Sequence, residues 1–139
     1  MEISDVKRRV VETIENARRR SAEHRVAADE ASRAFDALLQ QTAVPMFRQI
    51  ANVLRAQGYP FTVFTLGESV RLMSDRSAED YIEMTLDTSG DTPVVVGHSS
   101  RSRGRRVIEL ERPVGPPASL TDDDVLTFVL KELEPLVER

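Results

Sequence analysis

The sequence predicts an α+β protein: a long N-terminal helix and a short second helix, a four- to five-stranded antiparallel meander, and a C-terminal helix packed on the sheet. Three observations predict it. Residues 4 to 43 contain neither glycine nor proline and repeat apolar or small residues at a 3-4 spacing. From Phe61 the period changes to two and stays there through successive segments. A final apolar run opens on Thr121-Asp122-Asp123-Asp124. Because the strands follow one another instead of alternating with helices, an antiparallel sheet is favoured over βαβ units.

The first helix carries Ile3, Val10, Ile14, Ala17, Ser21, His24, Ala28, Ala31, Phe35 and Leu38 on one seam, the spacing of a coiled coil. The seam is bulky at both ends and small in the middle. Arg8, Glu12, Glu15, Arg19, Glu23 and Glu30 populate the opposite, solvated face. Pro45 interrupts this helix or begins a second one, since a proline at a first helical position sacrifices no hydrogen bond. Phe47, Ile50, Ala51 and Leu54 make the second helix amphipathic, and Gly58 supplies its left-handed stop.

Phe61 to Leu66 and Ser69 to Met73 read as strands. Gly67-Glu68 between them fits a two-residue hairpin loop or a bulge in one long strand. In residues 81–87, Ile82, Met84 and Leu86 alternate with Glu83, Thr85 and Asp87, the pattern of a sheet with one wet face. Pro93 to His98 is a Val-rich strand, Ser99 to Gly104 a basic loop, and Arg105 to Arg112 the last strand, with Ile108 and Leu110 inward. Residues 113–119 hold three prolines and a glycine and form a connector. Thr121 then caps a helix whose first-turn aspartates complement the positive end of its dipole. Its apolar face runs from Val125 to Leu136, and Pro135 is expected to end or kink it. The organisation expected is one domain over 1–139, with a helical arm (1–44) and a helix–sheet–helix body (45–139).

Composition narrows the function classes. The 139 residues include no cysteine, which excludes disulfides, thiol nucleophiles and cysteine-ligated metals. No run approaches the ~20 apolar residues that cross a bilayer, and the polar start has no signal core, so a cytoplasmic protein without membrane contact is expected. Net charge is −4, split as +2 over residues 1–60 and −6 over 61–139. That asymmetry gives no general polyanion-binding field. His24 and His98 have no second metal-type ligand at a characteristic spacing. The sequence shows no nucleophile elbow, phosphate loop or dinucleotide fingerprint. No cofactor is expected, and an enzyme with a dispersed site is the third reading.

The leading expectation is a non-enzymatic protein-interaction module, an adaptor or small chaperone-like or assembly protein, acting as a homo-oligomer, most simply a homodimer, with a further protein partner. A helix over 4–43 would be about 60 Å long. A compact chain of this size is only about 37 Å across. A continuous arm would therefore overhang, with Val10, Ile14, Ala17, Ser21, Ala28, Ala31 and Phe35 as its interface residues; the rival is a break near Ser21 to Asp29 that folds the helix back as a hairpin, though no glycine or proline marks one. The alternative is a dimeric nucleoid-type DNA-binding protein. It rests on Arg101, Arg103, Arg105 and Arg106, a loop able to grip phosphates through charge and bidentate hydrogen bonds.

A long helix, a small antiparallel sheet with the segment Arg105-Arg106-Val107-Ile108-Glu109, and an acid-capped closing helix are loosely similar to the YbaB-type nucleoid-associated proteins. That resemblance implies a DNA-binding dimer. The extra helix around Phe47 departs from the family's pattern.

Overall fold

A computed structural model of the protein describes residues 1–138. Helix α1 spans Ile3–Leu38, a π-helical turn spans Leu39–Ala43, and α2 spans Val44–Ala56. The three run on as one bent helical stretch. Pro45 explains the π turn. It has no N–H for the carbonyl four residues back, and its ring crowds that carbonyl. Widening the preceding turn relieves the conflict, and Val44 N–H bonds to Leu39 O, five residues back. The proline therefore begins α2 without separating it from α1. The chain continues in a phase that turns Leu39, Ala43, Phe47, Ala51 and Leu54 inward.

Gly58 (φ +91°) ends α2. Gly58 N–H bonds to Arg55 O at 3.1 Å, and Tyr59 N–H to Leu54 O at 2.8 Å. This is the paired arrangement that a left-handed glycine permits at a helix C-terminus.

Five strands follow: β1 (Phe61–Thr65), β2 (Val70–Ser74), β3 (Tyr81–Asp87), β4 (Val94–Arg103) and β5 (Arg106–Gly115). They pair consecutively and antiparallel in the order β1-β2-β3-β4-β5. The β1–β2 connection is the four-residue loop Leu66–Ser69, closed by Ser69 Oγ donating to Leu66 O at 3.0 Å. It is neither the two-residue hairpin nor the bulge expected from Gly67-Glu68. The β4 strand continues through the segment expected to be a loop, and the β4–β5 turn is just Gly104-Arg105. Gly104 (φ +64°) takes the first turn position, which requires a positive φ.

Helix α3 (Asp122–Val137) opens with a reciprocal cap. Asp124 N–H donates to Thr121 Oγ1 at 3.2 Å, and Thr121 N–H donates to Asp124 Oδ2 at 2.9 Å. Pro135 lies in the last turn without ending the helix.

Helices α2 and α3 cover one face of the sheet, α2 over β1 and β2 and α3 over β3, β4 and β5. Phe35, Leu38 and Phe47 meet Val70, Leu72, Ile82, Met84 and Val95 from the sheet, and Val125, Val129 and Leu133 from α3, in one core. Glycine at 97 makes the α3 contact possible. A Cβ there would fall 2.2 Å from the Phe128 ring, so the ring lies where any side chain on β4 would stand.

Leu110 departs from expectation. It is 40% exposed instead of buried. It sits on the edge strand, beside an open hollow that α3 lines with Lys131, the buried Glu132, Pro135 and Leu136.

Candidate functional site

The arm is the larger candidate surface. Every residue from Met1 to Val26 is exposed except Asp5, which is half-buried. The helix meets the body where His24 Nε2 lies 3.1 Å from Gly90 O, in the β3–β4 loop. It makes a second contact through Ser32 Oγ and Glu68 at 3.4 Å. From Ile3 to Glu23 it projects freely for about 32 Å at 1.5 Å per residue.

Of the interface residues expected from the seam, Val10 (52% exposed) and Ile14 (45%) stand in solvent, as do Ala17 and Ser21. Ala28 is half-buried. Ala31 and Phe35 are buried within the body's own core and are not free for a partner. The seam is continuous, but Ala31, Phe35 and Leu38 at its C-terminal end are buried in the body. Four residues absent from the expected set complete the exposed stripe: Met1, Ile3, Val6 and Val11. Val6 and Val11 flank the seam, and widening it by one helical position on each side would have found them. Met1, Val6, Val10 and Ile14 line one shallow apolar depression.

The arginine hairpin is the second candidate. Arg103, Arg105 and Arg106 are exposed, while Arg101 is half-buried. Its Nε is buried and makes no hydrogen bond. Arg103 pairs with Arg106 across the strands, and residues directly opposite share a face. Strand alternation therefore puts Arg101, Arg103 and Arg106 together on the face that α3 covers. There Arg101, Ser102, Arg103 and Gly104 border a hollow of about 510 Å³ with Pro135 and Glu138 of α3's last turn. The end of a helix carries partial negative charge, and α3 has no basic residue in its last turn. The hairpin supplies that complement from outside. At its base, Asp80 Oδ1 accepts from Ser102 N at 2.8 Å, tying β4 to the β2–β3 loop.

The open face of the sheet holds a third arrangement. Phe64, Arg71, Glu83, His98 and Glu111 are successive cross-strand neighbours, forming one row over all five strands. Arg71 Nε donates to Glu83 Oε2 at 2.8 Å and its guanidinium lies 3.9 Å from the Tyr81 ring centre. His98 Nε2 is 3.0 Å from Thr85 Oγ1, and its Nδ1 is 3.9 Å from Glu111 Oε2. His98 is thus mid-strand and partnered, not at the strand end expected. Order along the chain gave no signal of this, because the row exists only in the pairing register. It resembles a hydroxyl–imidazole–carboxylate relay in connectivity alone. The Glu111 contact, at 3.9 Å, is too long for a hydrogen bond.

On the helix side, Arg112 Nε lies 3.0 Å from Glu132 Oε1. The N–H does not point at that oxygen, so the contact is an ion pair without an aligned hydrogen bond. Among the described residues, no group of three or more His, Asp or Glu side chains could hold a metal ion. Among them, no helix is long and apolar enough to cross a membrane. The chain matches no family model, no curated protein and no solved structure.

Proposed function

We propose that the protein is a non-enzymatic interaction module that self-associates through its N-terminal arm. The observation carrying this reading is the exposed stripe Ile3, Val6, Val10, Val11 and Ile14 on a helix that leaves its own body. The body cannot cover that stripe, and an apolar surface of this kind marks an interaction site. Helix propensity alone does not explain it, since a solvated helix needs no such face.

Light scattering over a range of concentrations tests the proposal. The mass should exceed 15.6 kDa and rise towards twice that value. Val10→Glu with Ile14→Glu should return it to the monomer while circular dichroism keeps the body's signal. A wild-type mass that stays at the monomer value up to about 200 µM, a weak affinity on the scale of complexes, rejects it.

A second reading has one observation in its favour: Arg103, Arg105 and Arg106 stand exposed at a hairpin tip, as phosphate-gripping side chains would. The negative end of α3 beside them weakens that field. Absence of any DNA mobility shift at low salt would end this reading.

A further inference from the structure

We infer that the arm's partner is the arm of a second copy running antiparallel, in a register that sets Val10 against Ile14 and Lys7 against Ala17 across the pair. This rests on the reading of the arm as a self-association surface and adds its orientation, register and shape.

The seam positions of the free arm are Ile3, Lys7, Val10, Ile14, Ala17 and Ser21. In an antiparallel pair these positions must meet in layers across a two-fold axis. One axis, level with Glu12, brings all of them into layers at once: Ile3 with Ser21, Lys7 with Ala17, and Val10 with Ile14. Each layer then joins a larger side chain to a smaller one, or two of middling size, which is how facing positions fill space. In the parallel pair every layer is self-matched. Lys7 would face Lys7 in the apolar seam, while Ala17 and Ser21 would face their own kind and leave gaps.

The flanking charges agree. Antiparallel packing lays Arg20 of one copy over Val6 of the other, with Glu2 of that copy one turn further on, within reach of the guanidinium. Parallel packing brings Arg20 beside Arg25 of the other, because the position before one seam residue faces the position after the next. Those are like charges at close range. Val11 falls near the axis beside its own counterpart, and Val6 lies along the stem of the other copy's Arg20. Both exposed valines outside the seam are thereby covered.

The body fixes the outer limits. His24, where the helix meets the β3–β4 loop, falls just beyond Ile3 of the second copy in this register. The overlap therefore uses the free length of each arm, and each body stays clear of the other. The two His24 positions would stand about 36 Å apart along the axis at 1.5 Å per residue. The result is a two-ended rod, with a body at each end and the arginine hairpins directed away from the arms.

The overlap is short, so association falls in the weak, concentration-dependent class and not among obligate dimers. The cysteine-free chain permits a direct test by single-site spin labelling at Glu12→Cys and, separately, Ala22→Cys. Both positions are exposed and off the stripe. Double electron–electron resonance should give a short separation at position 12 and one about 30 Å longer along the axis at position 22. Equal separations at both positions would overturn the antiparallel register while leaving self-association standing. No dipolar coupling together with a monomer mass would overturn both. A charge test is independent of labelling. Arg20→Glu should weaken association about three- to tenfold, and adding Glu2→Arg should restore it. Tighter association of Arg20→Glu would identify the parallel pair and reject the inference.

Discussion

The two ends of one helix, built on the same spacing, lie in opposite surroundings. Phe35 and Leu38 are 1% and 6% exposed, whereas Val10 and Ile14 are 52% and 45% exposed. Nothing in the local pattern distinguishes them. Both stretches place apolar side chains three and four residues apart, and both lack breakers. The difference lies in what stands opposite. Phe35 meets the sheet and α3, while Val10 projects past the edge of the body. A 3-4 spacing thus identifies which side of a helix seeks cover. It does not identify the cover, and a seam can change its partner midway without changing its pattern.

The sharpest way to break this comparison is Phe35→Ala. Its ring is almost wholly enclosed, so truncation should cost about 3–5 kcal/mol. Urea unfolding at low protein concentration checks it. A cost below about 1 kcal/mol would mean that the C-terminal third of α1 is no more part of the core than the arm.

Gly97→Ala should come next, at about 1–3 kcal/mol. The added methyl collides with the Phe128 ring, and the ring must leave its place on β4. Combining it with Phe128→Leu should recover part of the loss. Independent, additive costs in that pair would show that the ring does not rest on the strand.

The two helix starts offer a smaller contrast. α3 opens with the Thr121–Asp124 cap, and α1 opens at Glu2 with no side-chain cap. Thr121→Ala should cost about 1 kcal/mol. Glu2→Ala should leave stability unchanged within error, and equal costs at both ends would remove the contrast.

Acid should act through three carboxylates of the body. Asp124 is held below the ordinary value of 3.8 by the Thr121 backbone N–H first and then its hydroxyl. Asp75 is held down by Thr62 first and then Arg55, and Asp87 by the Ser89 hydroxyl first and then its backbone N–H. A carboxylate depressed in the folded state contributes stability above its unfolded value. That contribution is lost as pH falls through the folded value. The loss should therefore begin below about pH 4. Asp124→Asn should flatten that part of the curve slightly, and an unchanged pH profile would contradict the cap's role.

Ile14→Ala in dilute protein should also have a small effect, within about 0.5 kcal/mol. A cost near that of Phe35→Ala under the same conditions would show that the arm folds back onto its own body.

Much of this architecture was legible before any coordinates. The glycine-free run, the shift to period two at Phe61, Gly58 as a helix stop and the Thr121 cap are local signals, and each marks an element. They are readable because backbone conformation depends on immediate neighbours. The tertiary structure decided the rest: that Ala31 and Phe35 belong to the core while Val10 and Ile14 do not, that Leu110 stays exposed on the edge strand, that Gly97 makes room for Phe128, and that Arg71, Glu83, His98 and Glu111 form one row. All of these depend on what another part of the chain places opposite a residue. Burial and pairing are properties of two surfaces, and a sequence pattern describes one surface at a time.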